Sequence, residues 1–283
     1  RDTVGALAHL DLAAERARAC GAVDVWGRSI VHLARERVGT IDLQSAAARS
    51  LASLDEFLEQ AGGDAALRGE AHALEGELYF DLGDLGSANR HNTAAEEIAR
   101  ETNDDELRVK VGFARGLQHL GSVELGEAEA QFRAASPIAE KLADASPHIW
   151  CTSRLGVVAY VTGALDRADA LLGDALDASR RCENQRELSM AAAYLSGVAA
   201  AKGRFATAEL NADKALRAYR EAETPFTPGV VFPALAVARI HRGDAAGAYE
   251  ALDVWDTIRP GSSRRYRPLV AARFGDVDAV ERA

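Results

Sequence analysis

The sequence predicts an all-α protein built as a solenoid of helical hairpins, on three observations. Proline stands at only seven of 283 positions, while alanine, which loses no side-chain entropy in a helix, is abundant. Runs of β-branched and aromatic residues of strand character are rare. Glycines placed to end a helix recur at Gly39, Gly83, Gly121, Gly163, Gly203, Gly243 and Gly275, at spacings of 44, 38, 42, 40, 40 and 32 residues. A period near 40 over most of a chain is the signature of stacked helical units.

Each unit reads helix, tight turn, helix. "DLGDLGSA" (81–88), "VTGALDRA" (161–168), "AKGRFATA" (201–208) and "HRGDAAGA" (241–248) share one grammar. Glycine takes the left-handed conformation at the helix end, where a side chain would clash. A small residue follows five positions later, at Ala88, Ala168, Ala208 and Ala248, and another seven further on, at Ala95, Ala175 and Ala215. Seven before the glycine stand Gly76, Ala114, Gly156, Ser196 and Ala236, preceded by apolar Phe113, Leu155, Leu195 and Leu235. Small residues at these places let the two helices approach closely. In "GTIDLQSA" (39–46) and "GSVELGEA" (121–128) the small residue comes seven after the glycine, which predicts turns two residues longer.

Taken in order, residues 1–22 predict a leading helix or cap, 23–256 the repeat array, and 257–283 a linker with a capping helix or partial repeat. The Ser-Pro of "SPIAEKLADASPH" (136–148) predicts a kink or restart in a second helix. "AETPFTPGVVFP" (222–233) predicts an inter-repeat loop, because the pattern resumes in register beyond it. "RPGSSRRYRP" (259–268) predicts a solvated basic linker. The glycine stops argue against an alanine-rich coiled coil, which needs sustained heptads.

Composition narrows the function classes. A net charge of −10 argues against a nucleic-acid role, since phosphate binding needs clustered cations. No apolar run is long enough to span a bilayer, and no secretory signal is present, so a cytoplasmic protein without membrane contact is expected. Cys20, Cys151 and Cys182 form no CxxC pair and suit a reducing compartment. The chain begins at Arg1, which predicts a piece of a larger protein.

Motifs for chemistry are missing from the sequence. GxxxxGK[ST], HExxH and GxSxG do not occur, and the seven histidines are scattered without metal-type spacing. Carboxylate pairs such as Glu96-Glu97 and Asp104-Asp105 suit solvated helix faces. The expectation is a protein that is not an enzyme, with no catalytic residues, no metal and no cofactor.

The repeat resembles the tetratricopeptide (TPR) family over roughly residues 23–256, most closely in "EGELYFDLGDLGSANRHNTA" (75–94) and "LGVVAYVTGALDRADALLGDAL" (155–176). Units near 40 residues, longer than the standard 34, are similar to the sensor domain of MalT-type bacterial regulators. The resemblance implies a right-handed α-solenoid of about six to seven repeats, whose first helices line a concave groove. Its groove positions lie two, three, six, nine, ten and thirteen residues before each marker glycine.

Those positions give Trp26, Glu36 and Arg37 in the first unit, then Glu70, Glu77, Phe80 and Asp81. They give Arg108, Arg115, Gln118 and His119 in the third unit, Trp150, Arg154 and Tyr160 in the fourth, and Met190 and Tyr194 in the fifth. The sixth is mostly apolar, with His241. The predicted ligand-binding patch is Arg108, Arg115, Gln118, His119, Trp150, Arg154, Tyr160 and Tyr194, beside Glu77 and Phe80. Arginines among aromatics suit an anionic or stacked ligand. The TPR clamp for chaperone C-termini, which uses asparagines and lysines, is replaced here by Leu74, Glu77, Arg115 and Arg154.

The resemblance therefore implies a non-catalytic binding domain of a bacterial signalling or transcriptional regulator. It would take a peptide, a protein segment or a small molecule in the groove and pass that event on through a change of curvature. The alternative is an assembly scaffold that forms a homodimer or docks a catalytic domain, with no groove ligand.

Overall fold

A computed structural model describes residues 3–37, 43–60, 64–222, 230–258 and 261–275, and all their regular structure is helical. The elements are α1 (Thr3–Ala19), α2 (Val23–Arg37), α3 (Leu43–Glu59), α4 (Ala65–Asp81), α5 (Leu85–Thr102), α6 (Asp105–Gly121) and α7 (Leu125–Ala139). They continue as α8 (Ser146–Val161), α9 (Leu165–Arg181), α10 (Gln185–Ala201), α11 (Phe205–Glu221), α12 (Val231–Arg242) and α13 (Ala245–Ile258). A 3-10 turn at Ser262–Arg265 and α14 (Arg267–Phe274) complete the order. The architecture is an all-α helical-repeat solenoid.

Gly83, Gly163, Gly203, Gly243 and Gly275 hold the left-handed φ that stops a helix, between +72° and +84°. After Gly83 the chain bonds back, Gly83 N–H to Phe80 O and Asp84 N–H to Tyr79 O, satisfying the last carbonyls of α4. The next helix starts at once because the Asp84 carboxylate accepts from Ser87 N–H at 3.0 Å. Asp104 and Asn184 cap α6 and α10 in the same way.

One predicted stop is corrected. Gly121 lies inside α6, and the left-handed residue is Val123, at φ 63°. The five turns then sit at 83, 123, 163, 203 and 243, spaced by 40 residues. The longer turn read from "GSVELGEA" is an ordinary turn that begins two residues later. A β-branched residue is a poor occupant of left-handed space, which is why the glycine pattern pointed to the wrong residue. Gly39 lies outside the described residues.

With that register, the small residue seven before the turn is Gly76, Gly116, Gly156, Ser196 or Ala236. A Cβ on Gly116 would sit 2.4 Å from Phe132 of α7, and one on Gly156 2.7 Å from Leu172 of α9. Ser196 donates its hydroxyl to Ala208 O at 2.7 Å, so the α10–α11 backbones come equally close. Ala88, Ala128, Ala168, Ala208 and Ala248, five after each turn, are all fully buried.

The chain divides into two compact units, Arg1–Cys151 and Thr152–Ala283. In the first, α1 packs on α2, and α2, α4 and α6 follow one another, each against its own second helix. Trp26, Ile30, Leu54, Phe57, Leu74 and Leu78 form much of its core. In the second, α10 packs on α9, α11 and α12, and α12 on α13, around Phe232, Leu235, Leu252 and Trp255.

The proline-bearing segments resolve individually. Pro137 does not restart a helix; α7 ends two residues after it, at Ala139. Pro233 sits in the first turn of α12, where its missing N–H costs little. Residues 223–229 lie outside the described residues. The basic segment is docked on α13: Arg267 reaches Asp253 at 2.5 Å and Asp256 at 3.1 Å, and Asp256 accepts from Ser263 N–H at 2.9 Å. Cys20 and Cys182 are exposed and Cys151 is buried.

Two substitutions test the register with opposite signs. Gly203→Val puts a β-branched side chain at φ 72° and is expected to lower stability by about 1–2 kcal/mol. Val123→Gly relieves such strain at some cost in unfolded-state entropy and is expected to raise stability by about 1 kcal/mol. Urea unfolding followed by circular dichroism reads both; a destabilising Val123→Gly would refute the turn assignment.

Candidate functional site

The register of α6 decides which of its residues share a face. Counted from Val123, the groove offsets fall on Gly121, Leu120, Leu117, Ala114, Phe113 and Lys110. Phe80 of α4 packs on this face, 2.4 Å from where a Gly121 Cβ would stand. Lys110 bonds Glu70 of α4 and pairs with Glu106 at 2.7 Å, while Arg35 of α2 pairs with Glu70 at 3.3 Å. The Phe113 ring lies tilted against that of Trp150, 5.6 Å between centroids, and Trp150 is half-buried. The first-helix face of this unit thus carries a ladder of alternating charges beside aromatic rings.

Arg115 stands two residues from Leu117, about 200° around the helix. It reaches α5 instead, with Thr93 Oγ1 at 3.0 Å, Asn89 Oδ1 at 3.3 Å and Glu96 at 2.8 Å. Arg108 bonds Asn103 at 2.7 Å and Asp105 at 2.9 Å. Both arginines line a cleft of about 260 Å³ between α5 and α7, floored by Val111 and Gly112. The buried amide nitrogen of Gln118 makes no hydrogen bond, and His119 pairs with Glu124 across the turn at 2.7 Å. These four residues were expected on the groove face through the Gly121 register; the structure sets the arginines on the opposite one.

Other expected residues take separate places. Trp26 is buried with its edge against Phe57, 5.9 Å between centroids. Glu77, six before Gly83, is half-buried on the first-helix face of α4. The side chains of Glu36, Arg37 and Asp81 lie outside the described residues. His241 stacks on Phe205 at 4.5 Å.

In the second unit, Arg154, Tyr160 and Tyr194 do come together. The two phenol rings lie 6.4 Å apart, edge to face. Gly197 makes room for them: a Cβ there would meet the Tyr160 hydroxyl at 2.8 Å. Burial pushes both phenols above their ordinary pKa, so they stay protonated donors. Arg154 faces the Glu187 carboxylate at 3.7 Å. A protonated phenol pair beside a guanidinium can hydrogen-bond and stack on a peptide or carboxylate ligand.

A further cluster was absent from the expected site. His72 and Glu75 of α4 meet His91 of α5: His91 Nδ1 lies 2.5 Å and His72 Nδ1 3.5 Å from Glu75 Oε2, and the two Nδ1 atoms are 3.2 Å apart. Glu75 is fully buried. Burial pushes its carboxyl up, but the two imidazoles outweigh that and hold it below the ordinary carboxylate range. Asp55 of α3 also reaches Glu75, and burial followed by the Glu75 charge raises its pKa. Two of the seven histidines therefore do converge. Register marks the polar residues beside them, though not the meeting of the rings: Glu75 stands where Leu155, Leu195 and Leu235 stand in later repeats, and Asn92 where Phe132, Leu172 and Leu252 stand.

No family model and no curated protein matches this sequence. Solved structures do match its fold. A Rap protein complexed with Competence and Sporulation Factor superposes with a TM-score of 0.71, at 14% identity over 92% of this chain and 71% of that one. The Rap conjugation gene regulator of plasmid pLS20, in complex with the Phr* peptide, gives 0.62 at 14% identity, covering 90% and 82%. A signal transduction ATPase with numerous domains and a tetratricopeptide repeat sensor, from Pyrococcus horikoshii, gives 0.61 at 15% identity, covering 90% of this chain and 39% of that one. The chain has the fold of a TPR-like repeat array.

Glu187 is only 4% exposed, so removing its partner strands a buried charge. Arg154→Ala is expected to cost about 3 kcal/mol, and the double change Arg154→Leu, Glu187→Leu to recover most of it. Denaturant midpoints of the two variants check this.

Proposed function

We propose that this chain is a peptide- or protein-binding module of a bacterial signalling or regulatory protein, without catalytic activity of its own. The contact surface is the first-helix face of each unit. In the first unit it offers Phe80, Phe113 and Trp150 beside the paired Glu70 and Lys110; in the second it offers Arg154, Tyr160 and Tyr194. The observation that carries the reading is the second cluster: two phenol rings 6.4 Å apart, with Gly197 leaving space for that of Tyr160, on the helix faces that also carry Arg154. Aromatic rings bury large area with few rotors, and arginine pairs with carboxylates, so the face suits an extended segment with an apolar side chain and an acidic group. Two of the solved structures above are Rap proteins captured with their factor or peptide, and a third carries its repeats as a sensor, which supports a sensing role.

Peptide display against the intact chain should recover binders enriched in apolar and acidic residues. Against such a peptide, Tyr160→Ala and Tyr194→Phe are expected to weaken affinity about tenfold and about threefold respectively. Arg115→Ala, on the opposite face of its helix, should leave it within about twofold. Calorimetric titration of variants with wild-type circular dichroism checks this, and the reverse pattern would overturn the reading.

A further inference from the structure

The α4–α5 hairpin departs from the pattern of the later repeats. Where later repeats bury Leu155, Leu195 and Leu235, it buries Glu75; where they bury Phe132, Leu172 and Leu252, it buries Asn92. Glu75 and Asn92 are both 0% exposed. Neither carboxylate oxygen of Glu75 receives a well-directed hydrogen bond, and the Asn92 amide, packed against Gly76, makes none. Burying polar atoms without well-formed hydrogen bonds is costly. A repeat that has a leucine solution available elsewhere keeps such a cluster against that cost.

The geometry says what would satisfy it. His72 Nδ1, His91 Nδ1 and a Glu75 oxygen lie within 4.8 Å of one another. One oxygen faces both ring nitrogens, and those nitrogens face each other at 3.2 Å. Two protonated rings at that distance would set like charges and two N–H donors against each other. Three lone pairs gathered this closely meet no such conflict once a cation stands among them. A tetrahedral ion with bonds of 2.0–2.1 Å holds its ligands about 3.3–3.4 Å apart. The separations of 3.2 and 3.5 Å fit, and the 2.5 Å pair needs to open by about 0.9 Å. The imidazoles remain partly exposed, 20% and 19%, so an ion has a way in.

We propose that His72, Glu75 and His91 bind one divalent transition-metal ion of the zinc class, with a water molecule completing the set. Two imidazole nitrogens with a carboxylate oxygen form a zinc-type donor set. The ligands come from α4 and α5, so the ion clips this hairpin together at a point where it buries polar groups in place of apolar ones. His72 and Glu75 lie five and two residues before Glu77, on the side of α4 turned toward α5, so this site is separate from the first-helix face.

The test uses the intact chain, stripped with a chelator, and Zn2+ or Co2+ as the probe. Competition against a chromophoric chelator is expected to show one equivalent bound at neutral pH, with the visible band of four-coordinate Co2+ and a raised melting temperature. His91→Ala should weaken binding roughly a hundredfold. Glu75→Leu installs the residue of the later repeats; it should fold, melt at least as high as metal-free wild type, and lose the stoichiometric uptake. Wild-type protein that takes up no stoichiometric Zn2+ or Co2+, or a Glu75→Leu variant that binds as wild type does, would overturn the proposal.

Discussion

Each hairpin depends on a position with almost no side chain, seven residues before its turn. At Gly76, Gly116, Gly156, Ser196 and Ala236 a first helix comes near enough for a residue of its second helix to touch backbone. Phe132 and Leu172 occupy the space that a Cβ at Gly116 or Gly156 would need. Close approach lets short alanines, Ala88 and Ala168 among them, reach full burial. Alanine supplies little apolar area per residue, so a core this rich in it holds only where helices nearly touch.

The same contact fixes which residues each helix shows to its surroundings. Once the small residue faces the partner helix, every other offset follows at 100° per residue. A two-residue error in register turns a helix by about 200° and exchanges its faces. That is why Arg115, counted from Gly121, was expected beside Trp150 and instead reaches Asn89, Thr93 and Glu96. Its true counterpart in the neighbouring hairpin is Glu75, and in later ones Leu155 and Leu195. The early repeats carry charge where the later repeats carry leucine.

Charge at that position is handled differently in the two hairpins. Arg115 sits at the edge of an open cleft and spreads its donors over three α5 side chains. Glu75 is sealed inside, where the two imidazoles are its nearest partners and hold its carboxyl ionised. A buried carboxylate between two imidazoles stays compact only while the charges balance, and that balance ties the packing of α3, α4 and α5 to the state of a few polar atoms.

The helical repeat, its hairpin grammar and the turns at Gly83, Gly163, Gly203 and Gly243 were legible in the residues, because helix stops and small-residue spacing are local properties of the chain. Tyr160 and Tyr194, expected in one patch, were counted from true glycine stops, and their rings lie 6.4 Å apart. Tertiary structure alone decided two matters. It placed the third turn at Val123, because packing of Gly116 on Phe132 outweighed a poor backbone fit at a β-branched residue. It also brought His72 against His91, nineteen positions apart and on different helices, since the meeting of side chains depends on how closely two helices stack and no spacing along one strand of sequence records that.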